Sequence, residues 1–163
     1  MITLLTGPPA CGKNTISHLY AVQHPGRCAV IDCDLVRWML RQPHKAPWEG
    51  EEGRWQHQLG AKHCCLLASS FAGEGCEVVM LDVVDDGLAA LYRQQAAPLR
   101  IVRLMPTWEE TLRRLRGRPH SVTEDEARML YDGQLALRDF DFTLDNSQLS
   151  PDEVVRWLVN LPG

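Results

Sequence analysis

Near the start of the chain, Gly7-Pro8-Pro9-Ala10-Cys11-Gly12-Lys13-Asn14-Thr15 sets two glycines with four residues between them and follows the second with a lysine. That pattern suits a polyphosphate. The backbone N–H groups from Gly12 to Thr15 would face the anion at the start of a helix, whose end carries partial positive charge. Gly7 opens the loop, and Gly12 lets the backbone approach closely. Lys13 adds a point charge for the outer phosphates. The residue after such a lysine usually offers a hydroxyl to Mg²⁺; here it is Asn14, followed by Thr15. Three readings stand at this point: the Asn14 amide oxygen ligates the metal, nearby carboxylates hold it instead, or the chemistry is weakened.

Two carboxylate positions complement the loop. Asp32-Cys33-Asp34 ends an apolar run, and Asp32 and Asp34 share one side of an extended segment. They read as one metal-side carboxylate, Asp32, and one general base, Asp34. The plainer alternative is that Asp34 caps a helix starting at Leu35. Asp82 ends the run Val78–Leu81 and reads as a third metal group, acting through water. Further on, Arg113-Arg114-Leu115-Arg116-Gly117-Arg118 enters a Gly/Pro loop. Arg114 and Arg118 are the candidates for clamping phosphate in the transition state; otherwise these cations serve the C-terminus of a helix. An acceptor would meet Arg37, Trp48 and Arg54, with Trp38 and Trp55 in the same stretch. Trp55, on a helix, is expected in the core.

Positioning these groups takes alternating strands and helices. Ile2–Thr6, Cys28–Asp32, Glu77–Asp82, Arg100–Met105 and Asp141–Asp145 read as strands. Helices are expected over 13–23, 35–41, from 51 or 54 to 72, and 86–95. In the long one, Gly60, Cys64, Leu67 and Phe71 recur on one face. Three more helix starts carry S/T-x-x-E: Thr107…Glu110, Thr123…Glu126 and Ser150…Glu153. The rhythm is that of a parallel sheet covered by helices, an α/β domain spanning 1–163.

Composition bounds the partners. The chain has 163 residues, 45% of them hydrophobic, and a net charge of −4. Disorder is excluded, and holding nucleic acid by bulk electrostatics is disfavoured. No apolar run reaches the length of a membrane span, and the first residues lack the basic start of a secretory signal. The six cysteines include no C-x-x-C pair and read as reduced thiols of a cytoplasmic protein. A metal site from His57, His63 and Cys64 is disfavoured, since residues six apart fall on different helix faces.

The phosphate loop, the D-x-D after the second strand, the arginine segment and the ending Leu144-Asp145-Asn146-Ser147…Leu149-Ser150-Pro151 together resemble the small P-loop kinases. Among these the layout looks closest to chloramphenicol phosphotransferase, and shikimate and gluconate kinases are similar. The resemblance implies a three-layer P-loop NTPase fold, with a five-stranded parallel sheet of order 2-3-1-4-5 and an arginine-bearing lid near 114–124. It implies ATP with Mg²⁺ as donor, Asp34 as base, and Asn146 bordering the adenine. The expected activity is phosphorylation of a hydroxyl on a small molecule such as an antibiotic, sugar or nucleoside, by a monomer or homodimer. The alternatives are an ATP-binding switch or degenerate ATPase without acceptor and, more weakly, a nucleotide or polynucleotide 5′-hydroxyl kinase.

Overall fold

The computed structural model describes residues 1–117 and 122–162. Five parallel strands form one sheet: β1 (Ile2–Thr6), β2 (Cys28–Asp32), β3 (Glu77–Leu81), β4 (Leu99–Leu104) and β5 (Phe142–Leu144). Their spatial order is β2-β3-β1-β4-β5. The strand β1 lies at the centre, with Ile2–Leu5 opposite Val78–Leu81 on one side and Ile2–Thr6 opposite Leu99–Arg103 on the other. All five of its residues are buried, as an apolar run covered on both faces requires.

Among the described residues, seven helices cover the sheet: α1 (Lys13–Gln23), α2 (Cys33–Arg37), α3 (Gly50–Gly73), α4 (Asp86–Gln95), α5 (Trp108–Arg116), α6 (Glu124–Ala136) and α7 (Pro151–Val159). One core layer joins Leu4, Val78, Met80 and Ile101 to Ala61, Cys64 and Ala68 of α3 and Leu88 and Tyr92 of α4. The opposite layer joins Leu5, Val79, Leu81 and Val102 to Ile16 of α1 and Val154, Val155 and Leu158 of α7. Alternate strand residues thus feed alternate layers. Among the described residues, no helix is long and apolar enough to cross a membrane.

Several boundaries differ from the sequence reading, each for a local reason. The helix α2 begins at Cys33 because Asp32, not Asp34, is its N-cap: the Asp32 carboxylate accepts the Asp34 N–H at 3.0 Å. The inner face of α3 is not the one read from Leu67 and Phe71, which are 40% and 43% exposed. Gly53, Gln56, Gly60, Ala61, Cys64, Cys65 and Ala68 are buried instead. Trp55, expected in the core, is 51% exposed. Small residues win the inner face because the helix lies close to its neighbours: a Cβ on Gly60 would come within 3.1 Å of Arg37 Cβ. Both Thr123 and Ser150 make complete capping boxes. The Thr107 box is half made, since Arg113 and Arg114 take the Glu110 carboxylate.

The turn leaving β1 crosses the end of β4. A Cβ on Gly7, whose φ is 149°, would overlap the Leu104 carbonyl oxygen and lie 2.8 Å from Cys11 Sγ. Only a residue without a side chain fits both the backbone angle and the space. Gly7→Ala should therefore destabilise the fold by about 1–3 kcal/mol, the usual range for overpacking. Urea unfolding checks this, and an unchanged midpoint would contradict it.

Candidate active site

The loop Gly7–Gly12 joins β1 to α1 at the carboxyl edge of the sheet, where open α/β sheets bind ligands. It makes its bend with Ala10 at φ 61° and Gly12 at φ 102°. A left-handed alanine costs roughly 1–2 kcal/mol, and the surroundings hold it: the Cys11 N–H donates to the Pro8 carbonyl at 3.3 Å. The buried Asn146 side chain donates to the Cys11 carbonyl at 2.8 Å. Lys13 folds back on the loop, its Nζ donating to the carbonyls of Gly7 at 2.8 Å and Pro8 at 3.2 Å. This draws a positive group to the centre of the loop's bend.

Beside the loop, Asn14 Nδ2 donates to Asp32 Oδ2 at 2.8 Å. Asp32 therefore serves two donors, one per oxygen. Asp34, one residue past the helix start, turns its carboxylate into the cleft with 67% of the side chain exposed. Arg37 is nearly buried and holds Asp34 Oδ1 through Nη2 at 3.0 Å. Its Nη1 donates to the Lys45 carbonyl at 2.7 Å. Gln56 fastens the same loop, taking the Lys45 N–H at 3.1 Å and donating to the Pro43 carbonyl at 2.8 Å.

Behind this wall the fully buried Asp82 carboxylate is compensated from three directions. His57 Nε2 lies 2.8 Å from Oδ1, the Val83 N–H donates to Oδ1 at 2.8 Å, and the Tyr92 hydroxyl donates to Oδ2 at 2.8 Å. Burial pushes the Asp82 carboxyl up, but these partners, His57 foremost, outweigh it and hold it below the ordinary value. Burial likewise pushes the His57 imidazolium down, and Asp82 more than reverses this.

These groups line one cleft of about 520 Å³, within the usual range for small-molecule sites. The loop, Asp32 and Asp82 line it together with Trp38, His44, Pro47, Trp48 and Glu126, and Val122 packs by Ala10 of the loop. A second hollow on the far side of the loop is lined by Gly12, Thr15, Glu110, Arg114 and Asn146.

No family model matches the chain. A guanylate kinase of Streptomyces kasugaensis is 29% identical, over 98% of this chain and 85% of that one. A sugar kinase from Janibacter sp. HTCC2649 superimposes with a TM-score of 0.75 at 14% identity, covering 97% of this chain and 91% of that one. Shikimate kinase from Acinetobacter baumannii, bound to shikimate, does so with a TM-score of 0.64 at 19% identity, over 97% and 90%. The chain has the fold of the small P-loop kinases.

On that fold the structure brings Lys13, Asn14, Thr15, Asp32, Asp34, Arg37, Trp48 and Asp82 to one cleft. It does not bring Arg54 there. That residue is exposed on the outer face of α3, next to the buried Gly53 that packs under Ala46 and Pro47. Arg114 lines the second hollow, on the far side of the loop. Its guanidinium reaches Glu110 Oε1 and the carbonyls of Asn146 at 2.8 Å and Ser147 at 3.3 Å. Arg118 lies outside the described residues. Sequence reasoning weighed His57 only with His63 and Cys64, and Glu126 only as a cap; it missed the pairing of His57 with Asp82, the bond from Trp48 to Glu126, and the buried Cys33. The Cys33, His57 and Asp82 ligand atoms lie within 4.8 Å of one another. His57 stood in plain view as a histidine on the face of α3 opposite Asp82; nothing marked Glu126 beyond its capping pattern.

The His57–Asp82 pair makes stability depend on pH in a defined sense. Asp82 is lowered in the fold, so its contribution is present above the unfolded carboxyl value and lost as pH falls through the folded one. His57 is raised, so its contribution is complete below the unfolded imidazole value and lost as pH rises through the folded one. His57→Gln should lower the melting temperature most between about pH 4 and 6.5, where both unfolded-state values leave the pair intact. The deficit should shrink towards alkaline pH. Melting curves across the pH range check this, and a deficit independent of pH would refute the pairing.

Proposed function

We propose that the protein is an ATP-dependent phosphotransferase that moves a phosphoryl group to a hydroxyl of a small molecule, with Asp34 as general base. The observation that carries this reading is the Asp34 carboxylate. It stands exposed in the cleft beyond the P-loop, with Oδ1 held by Arg37 and Oδ2 without a protein donor among the described residues. A nucleotide switch needs no such group. A carboxylate fixed at one oxygen is oriented to take a hydroxyl proton with the other.

On the donor side, Gly7, Gly12, Lys13, Asn14 and Thr15 would cradle the phosphates, and Asn146 and Arg114 border the hollow suited to the adenine. The donor set beside the loop fits Mg²⁺, since Asn14, Asp32 and Asp82 all offer hard oxygens. Asn14 gives its Nδ2 to Asp32, which leaves its amide oxygen with no protein donor. When bound, the ion would offset phosphate charge. In the transfer itself the acceptor oxygen bonds the γ-phosphorus as the bond from that phosphorus to ADP breaks, Asp34 accepts the hydroxyl proton, and Lys13 would contact the phosphate oxygens. Arg118 is proposed as a further clamp from the lid, and Arg37 and Trp48 as acceptor contacts. A phosphate acceptor, favoured by the guanylate kinase relative, is the second reading.

Two measurements test the proposal. Lys13→Ala removes a charge-assisted contact of about 1.5–3 kcal/mol and should weaken ATP binding by roughly 10- to 150-fold in calorimetric titration. Equal affinities would remove the phosphate assignment. Asp34→Asn keeps the size of the side chain and removes its basicity. ADP release with an acceptor found by screening should fall by about 10²–10⁴, with ATP affinity and melting temperature near wild type. Turnover within about threefold of wild type, far short of that loss, would show that Asp34 is not the base.

A further inference from the structure

The acceptor half of the cleft has a charge pattern that selects among hydroxyl compounds. Its charged walls are Asp34 and Arg37 of α2, Glu49 at the end of the acceptor loop and Glu126 of α6. Arg37 is spent on Asp34 at 3.0 Å. Lys45, just outside the lining, stands 3.8 Å from Glu49. Neither cation is left for an acidic acceptor. Glu126 has no cationic partner among the described residues. Its Oε1 takes the Trp48 indole N–H at 3.2 Å, and Oε2 takes the Thr123 N–H at 2.7 Å and hydroxyl at 2.9 Å. Those donors hold its carboxyl below the ordinary value, the Thr123 backbone N–H first, so it stays an anion. It sits half-buried at the cleft wall beside the Trp48 ring, and Trp38, stacked edge-on against His44 at 5.3 Å, lies across the same half.

Among the described residues, an acidic acceptor would meet an acceptor-side wall with one uncompensated anion and no unpaired cation. A protonated amine meets the opposite: a fixed carboxylate in a cleft that the Trp38 and Trp48 rings also line. We infer that the acceptor is a hydroxyl compound carrying a protonated amine on a compact ring body, an amino sugar or aminocyclitol, with Glu126 as the residue that selects the amine. This deepens the phosphotransferase reading above and rests on it.

The variant Glu126→Gln removes the charge. Glutamine at the third position of a helix still closes a capping box, but its single amide oxygen cannot serve Thr123 and Trp48 together, so the Trp48 contact is lost with the charge. The experiment measures ADP release from the full chain with ATP and Mg²⁺. The probes are glucosamine and neamine, each beside its N-acetylated form, with gluconate, shikimate and GMP as acidic acceptors. An amine-bearing probe should turn over with KM at least tenfold below its acetylated form, and the acidic probes should not compete. Glu126→Gln should raise KM for the amine about tenfold, the size of a lost charge-assisted contact. It should leave kcat and the acetylated probe's KM unchanged, which separates the lost charge from the lost Trp48 contact. Preference for an acetylated or acidic probe, or equal KM in variant and wild type, overturns the amine inference and leaves the phosphotransferase reading standing. ATP that binds but is turned over with no probe overturns both.

Discussion

Asp82 sets the terms for the sheet's active edge. A carboxylate taken wholly out of water costs several kcal/mol unless it is met by donors or a counter-charge, and here it is met from three elements. Val83 supplies the local N–H, Tyr92 reaches in from α4, and His57 reaches in from α3. Those contacts fix how close α3 and α4 must lie to the end of β3. They explain why α3 carries Gly53, Gly60, Ala61 and Ala68 inward and leaves Leu66 and Phe71 outside. With α3 so placed, Gln56 and the space over Gly53 and Gly60 receive the acceptor loop and Arg37. Arg37 in turn orients Asp34. Asp34, the proposed base, therefore inherits its position from a buried carboxylate behind it.

A second buried polar link ties the loop side together. The Thr6 hydroxyl donates to Gln134 Oε1 at 3.2 Å and accepts the Val84 N–H at 3.2 Å. Gln134 closes the ring by donating to the Val84 carbonyl at 2.7 Å. Three elements that share no sequence neighbourhood, β1, the segment after β3 and α6, are joined where the P-loop leaves the sheet. A network satisfied in this way rigidifies the site and leaves no group unpaired.

The sheet was legible because its evidence is local. Short apolar runs such as Val78–Leu81 have one stable home between two helical layers, and the glycine spacing around Lys13 has a physical purpose tied to its flanking strand and helix. The S/T-x-x-E starts at Thr123 and Ser150 were equally local, whereas the one at Thr107 was only half made because Arg113 and Arg114 took Glu110. What was not legible depends on which side of an element meets a distant partner. Leu67 and Phe71 fit a helical stripe as well as the true one does; only the buried Asp82, across the chain from His57, decides which stripe turns inward. The displaced start of α2 has the same character on a smaller scale. Asp32 and Asp34 were equally good caps by type, and the N–H geometry at 3.0 Å gave the cap to Asp32, which frees Asp34 to face the cleft.

The acceptor half carries this reasoning to its limit. Trp48, Glu49 and His44 sit in a segment of 38–49 with no regular periodicity, so no pattern assigns their directions. Their placement comes from backbone groups: the carbonyls of Pro43 and Lys45 and the N–H of Lys45 are taken by Gln56 and Arg37. Because main-chain atoms bear the load, the side chains of this segment are free to differ without loosening the loop. Trp48 uses that freedom to bond Glu126, the third residue of α6. The helix that follows the arginine-bearing segment is thereby registered against the acceptor loop. A group bound between them would touch both walls, so under the proposed activity the contact that spaces the cleft would also border the acceptor.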